Sequence, residues 1–344
     1  MEKQVLVRDK SIDILRGLAI VFMVMGNLEP ILASPHPFWL RLYGSFAAPL
    51  FIITAGMMVA ITSNKPGRNL KYYLVRGGLI ILIGALIDIF AWGLIPFVTI
   101  DVLYLIGLAI PLSYLISKLK NIQLLLIITL IFGLTVCFQS WLGYGAYPEA
   151  ETDLNEINTV NLDTMKMAGK HWLIDGWFPI FPWLGLAFFG AFIGRIKSNL
   201  FSSKNIKYYG WLLMAIALPL WFAYPGALYE REGYSELFYP PSLGFILFSL
   251  GLFLSLLYFF ARTQSWRGYI LLTVLGEASL FMYIFHSLVL AWFVSKIWED
   301  TRIISLLIIY FVLVSLMVLL GFIIKNIKAK YQLDSFLLRF ILGS

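Results

Sequence analysis

The sequence predicts an all-α integral membrane protein, a polytopic bundle of about ten transmembrane helices with both termini cytosolic. Three observations predict it. Hydrophobic residues make up 60% of the 344-residue chain and charged residues only 13%, too apolar a balance for a soluble globule. Apolar stretches of roughly twenty residues, the length that crosses a bilayer as a helix, recur along the whole chain. Lys and Arg are distributed asymmetrically between the loops. Of the 26, nineteen lie in segments on the amino-terminal side. Six lie opposite (Arg41, Lys166, Lys170, Arg231, Lys296 and Arg302), and Arg16 sits inside a span. By the positive-inside rule the richer side is cytosolic. The net charge of +7 is then a topology signal and implies no nucleic-acid partner.

The spans are expected at roughly 12–33, 39–63, 73–95, 99–117, 122–142, 174–196, 207–224, 240–261, 272–295 and 303–324. The first begins like a signal peptide, with basic residues, an apolar run and Leu32-Ala33-Ser34 as a cleavage site, but Arg16 and a polar face read as a retained helix. Lys65, Arg68, Lys71 and Arg76 precede or open the third span, and a short turn, Ala91–Val98, joins it to the fourth. The longest outer loop, 143–170, is acidic and reads as a solvated connection or as a loop over a site. A second outer segment, Tyr224–Tyr239, is acidic and aromatic, and the aromatic residues near this surface suit an interface belt. After the tenth span, Leu333, Phe336, Leu337, Phe340 and Ile341 recur at helical spacing. They predict a cytosolic amphipathic tail over 332–344. The whole chain, 1–344, reads as a single domain. With one cysteine, Cys137, it has no intrachain disulfide and no cysteine metal cluster.

The spans are organised around Ser11–Pro30, which opens with Asp13 and Arg16 and closes with Asn27 and Glu29. Eleven residues, close to three turns, set Arg16 and Asn27 on one face about 16 Å apart. Polar groups within hydrocarbon are costly, so such a face turns inward and marks a functional path. The bland alternative for Asp13 and Arg16 is an ion pair snorkelling to the headgroups.

All three histidines fall on the outer side or the outer half of a span. His36 is in the first outer loop and His171 precedes the sixth span. His286 continues a stripe of Gly276, Ser279 and Tyr283 in the ninth. An imidazole can act as base or nucleophile near neutral pH, although a buried one is more often a packing residue. Asp88 and Asp101 close the third span and open the fourth, where they can orient a histidine, bind an acceptor or cap a helix. The histidine spacing fits no zinc motif, and no nucleotide-loop or GxSxG pattern is present.

The opening SIDILRG, the run FMVMGN and the histidine that follows are joined by FAAPLFIITAG in the second span. DGWFPIFPWLGLAFFGAFIGR follows in the sixth span and GEASLFMYIFHSLVL in the ninth. With these motifs in order, the chain resembles the transmembrane acyltransferases typified by heparan-α-glucosaminide N-acetyltransferase. The resemblance implies transfer of an acyl group, usually acetyl, from cytosolic acyl-CoA to a hydroxyl or amine of an extracytoplasmic acceptor such as a sugar or glycan. It carries Asn27 and His36 to the transfer centre; Asp88, Asp101, Tyr283 and His286 are supporting candidates by their own placement. The Asn27–His36 spacing is somewhat shorter than in the family's best-known member, and heparan itself is not implied. The anionic donor suits a basic inner rim of Arg16, Arg76, Arg195, Lys71 and Lys197. No metal is implied. The expected partners are acyl-CoA, the acceptor and membrane lipids, with homodimerisation left open, and the expected location is the plasma membrane. Two other classes use the same polar face: a transporter or flippase for a lipid or lipid-linked sugar, and a non-catalytic scaffold in which polar residues are packing glue.

Overall fold

The computed structural model describes residues 9–33, 35–144, 154–155, 160–202, 205–223, 236–298, 301–331 and 335–343, with side chains 197–202 excluded. The Lys197 side chain, residues 145–153 and 156–159 of the outer loop 143–170, most of Tyr224–Tyr239 and residues 332–334 of the tail lie outside the described residues. Within them the chain is helical, with one isolated bridge between Leu32 and Thr301.

The helices are α1 (Lys10–Leu28), α2 (Phe38–Gly44), α3 (Ala47–Thr62), α4 (Leu70–Ile87), α5 (Val102–Ile116), α6 (Asn121–Leu142), α7 (Leu162–Lys170), α8 (Ile180–Ser202), α9 (Ile206–Phe222), α10 (Leu243–Thr263), α11 (Ile270–Glu277), α12 (Ser279–Val289), the single turn α13 (Ser295–Ile297), α14 (Ile303–Lys330) and α15 (Phe336–Leu342). Several start where a side chain satisfies an orphan backbone N–H. Asp9 caps α1, Asn69 caps α4, Asp101 caps α5 and Ser242 caps α10.

Seven described segments are long and apolar enough to cross a membrane, and an eighth arises if α7 and α8, bent by 45°, form one span. Two of the ten expected spans are shorter apolar helices: α5 has 15 residues and α9 has 17. The expected ninth span is interrupted. Its backbone breaks at Ala278 (φ −116°, ψ 31°), between α11 and α12.

Helix packing rests on small residues, as expected where lipid removes the hydrophobic drive between helices. A Cβ on Gly56 of α3 would lie 1.8 Å from the Ala187 carbonyl oxygen of α8, and one on Gly190 would lie 1.9 Å from that of Ile53. Gly77 and Gly107 meet likewise between α4 and α5, and Gly210 and Gly251 between α9 and α10. These crossings gather the bundle around α1, which packs against α2, α3, α10, α11, α12 and α14. The tail helix α15 inserts Phe340 into the cluster of Val59, Tyr73 and Ile110, while Phe336, Leu337 and Leu338 stay exposed.

Overpacking the α3–α8 contact tests this reading. Gly56→Leu should destabilise the protein by about 1–3 kcal/mol or more, because backbone cannot yield to the new side chain. Gly78→Ala in α4, whose Cβ would meet nothing within 4 Å, should be neutral or stabilising by about 0.5–1 kcal/mol. Thermal unfolding in detergent separates the two; equal melting temperatures would contradict the packing account.

Candidate active site

The site begins with α1 lying against α11 and α12 in the same direction. Gly17 and Gly276 allow the approach: a Cβ on Gly17 would lie 1.9 Å from the Leu272 carbonyl oxygen, and one on Gly276 would lie 1.9 Å from that of Asp13. Above this crossing the polar residues of the two helices meet in order. Arg16 Nη2 donates to Ser279 Oγ at 2.5 Å. Further along, Asn27 Nδ2 lies 2.8 Å from His286 Nε2. With the amide donating, Nε2 accepts and the ring proton is on Nδ1, facing the Met282 carbonyl oxygen at 3.3 Å. His286 is wholly buried, so this pairing removes what would otherwise be a costly orphan.

Tyr283, on the same stripe, donates to Asp101 Oδ2 at 2.5 Å and packs its ring edge-on to His286 at 5.1 Å. The other oxygen of Asp101 accepts the Val102 N–H at 2.6 Å, which ties α5 to the centre. Asn27, Asp101 and Tyr283 line a cavity of about 50 Å³ together with Gly26, Gly44, Phe178, Glu236 and Phe238. Its aromatic edge continues into a buried cluster in which Trp183 meets both Phe178 and Phe238.

The structure therefore brings Asn27, Asp101, Tyr283 and His286 together. Asp88 is elsewhere: it is buried and accepts a short hydrogen bond from Tyr104, and it is not among the cavity-lining residues described. His36 is buried between α1 and α2 and does not appear in that lining either. His171 is buried with Nδ1 3.0 Å from the Val98 carbonyl oxygen.

The basic residues engage different elements. Arg76 lies over the Phe340 ring of α15 at 5.1 Å, and Arg195 donates to the Leu119 carbonyl. Lys71 is exposed at the start of α4. No group of three or more His, Cys, Asp or Glu with the arrangement of a metal site occurs among the described residues.

Glu236 is the cavity residue that sequence reasoning missed. The signal available was its place at the end of the acidic, aromatic segment before α10, which gives no hint that the chain turns back to α1.

Fold and site together define a polytopic helical membrane protein with a buried polar centre between its first span and the pair α11–α12. The chain belongs to the family whose model, described as heparan-alpha-glucosaminide N-acetyltransferase, catalytic, matches residues 8–223. Membership makes it an acetyltransferase-family protein. The match contains Arg16, Asn27, His36, Asp88 and Asp101 and ends before Glu236, Ser279, Tyr283 and His286. No curated protein matches the chain.

A double-mutant cycle tests the Asn27–His286 pair. Asn27→Leu alone should cost about 1–3 kcal/mol by leaving buried His286 without its partner. Combining it with His286→Phe should recover part of that loss, with a coupling of about 0.5–3 kcal/mol. Strictly additive losses in unfolding free energy would show that the two residues do not interact.

Proposed function

We propose that this protein moves an acetyl group from acetyl-CoA on the cytosolic side to a hydroxyl or amine of an extracytoplasmic acceptor, a sugar or glycan, while CoA itself stays inside. The observation that carries this reading is the pair of polar contacts between α1 and α12, Arg16–Ser279 and, further along both helices, Asn27–His286, in a chain of the acetyltransferase family. The family uses acetyl-CoA as its donor. The acyl-bearing arm of the donor follows this interhelical line, with its phosphates on Arg16 and the basic residues of the inner side, Arg76, Arg195, Lys71 and Lys197.

At the outer end Asn27 and His36 divide the chemistry. His286 takes one amide hydrogen of Asn27 and fixes its direction. The second amide hydrogen is then the donor for the oxyanion that forms when the thioester carbonyl is attacked. Such a preorganised donor contributes about 3–4 kcal/mol to the transition state. His36, buried in the loop that follows α1 and outside the described cavity lining, is the base of this reading: the acceptor must reach it for its hydroxyl or amine proton to be taken. Tyr283 and Asp101 hold the wall of the cavity in which donor and acceptor meet.

The parallel course of α1 and α11–α12 supports the topology, since parallel neighbours need an odd number of crossings between them. The seven apolar segments between them, counting α5, α9 and the bent α7–α8 pair, supply that number.

The test is release of free thiol from acetyl-CoA by the purified protein with a sugar acceptor present. Asn27→Ala and His36→Ala should each lower turnover at least about a hundredfold and leave CoA affinity within about twofold. If His36→Ala retained wild-type turnover while His286→Ala lost it, the base would belong to α12. Arg16→Ala should weaken CoA binding about tenfold, and wild-type binding should weaken with added salt. Unchanged calorimetric affinity in a folded Arg16→Ala protein would contradict the proposed donor path.

A further inference from the structure

The cavity beside Asn27 has a second polar wall that the chemistry above does not use. Where α1 passes the end of α2, two glycines touch: a Cβ on Gly44 would come within 2.9 Å of the Gly26 Cα. Two buried carboxylates are set around this crossing. A Cβ on Gly26 would lie 3.1 Å from Glu236 Oε1, and one on Gly44 would lie 3.5 Å from Glu29 Oε1. Glu29 is 0% exposed and Glu236 6%. The segment carrying Glu236 is anchored by its neighbour, since the Leu237 N–H donates to Ser45 Oγ at 2.7 Å.

Glu236 lines the cavity together with Asn27, Asp101 and Tyr283, and its Oε2 has no hydrogen-bond partner among the described residues. A buried carboxylate oxygen without a partner is expensive. Here it borders the space in which the acceptor meets the thioester. Burial and then the neighbouring Glu29 carboxylate hold the Glu236 carboxyl well above the ordinary range, while Arg41 pulls it down. A ligand that offers an N–H or O–H would relieve the orphaned oxygen, and a cationic one would also relieve the repulsion between the two acids.

We propose that Glu236, backed by Glu29, is the acceptor-binding residue of this site: its unpartnered carboxyl oxygen accepts a hydrogen bond from the nucleophilic N–H or O–H and holds that group over the carbonyl that Asn27 faces. This rests on the acetyltransfer reading and adds to it the residue that selects the acceptor. Asp101, the other acid of the cavity, is committed on both oxygens, to Val102 N–H and to Tyr283.

Two probes separate the chemistries that fit: D-glucosamine, which brings an ammonium, and methyl α-glucoside, which brings hydroxyls alone. Binding of each is measured by calorimetry on the full-length protein, and transfer from acetyl-CoA is measured in parallel. Wild type should bind at least one probe. Glu236→Gln should weaken that binding at least tenfold and raise the acceptor KM by a similar factor, with acetyl-CoA affinity unchanged. Glu236→Asp should restore part of the loss. Gly26→Ala, which presses on Glu236 Oε1 and keeps the carboxyl group, should also weaken acceptor binding and provides a second route if Glu236→Gln does not fold. Unchanged probe affinity in these variants, or a wild-type protein that binds neither probe, overturns the assignment. Failure of the acetyltransfer reading looks different: probes bind in a Glu236-dependent manner, but no thiol is released.

Discussion

The close approach of α1 to α11 at Gly17 and Gly276 is the contact on which the rest of the centre depends. With backbone against backbone, side chains further along the two helices lie within hydrogen-bond reach. Arg16 finds Ser279, and Asn27 finds His286. The break at Ala278 between these contacts re-aims α12 after the crossing. Larger residues at either glycine would separate the helices, removing the Arg16–Ser279 contact and taking Asn27 away from the wholly buried His286, a costly loss in an apolar bundle.

The same rule explains where several other polar residues lie. Asp101 caps α5 and takes the Tyr283 hydroxyl; Asp88 takes that of Tyr104; His171 faces a carbonyl. Each of these meets a demand for satisfaction inside the bundle. Glu236 differs because one of its oxygens is buried at a cavity and unmatched among the described residues. A native chain tolerates that cost most readily where a ligand supplies the missing partner.

Much of this architecture was legible in the sequence. The apolar runs and the uneven distribution of Lys and Arg point to a polytopic helical bundle. The spacing of Gly276, Ser279, Tyr283 and His286 marks a single face that the structure turns toward α1 and α5. The motif order led to the family that the match over 8–223 identifies. What sequence did not supply was pairing across the chain. Nothing in local periodicity says that Asn27 meets a histidine 259 residues later instead of the one nine residues away. Hydropathy smooths over the break at Ala278, because both halves are apolar. The amphipathic tail was legible as a helix, but the docking of Phe340 under Arg76 depends on a hydrophobic cluster made by other spans.

The central claim is that donor and acceptor meet across the bilayer at the α1–α12 line. The direct measurement uses sealed vesicles containing protein of one known orientation, with labelled acetyl-CoA supplied to one face at a time. The account predicts that acetyl-CoA is consumed only from the face carrying the amino terminus. Acetylated acceptor should then accumulate only on the opposite face, with free CoA remaining on the donor side. Product appearing on the donor side would contradict it, leaving an ordinary same-side acyltransferase in which the polar line between the helices serves packing alone.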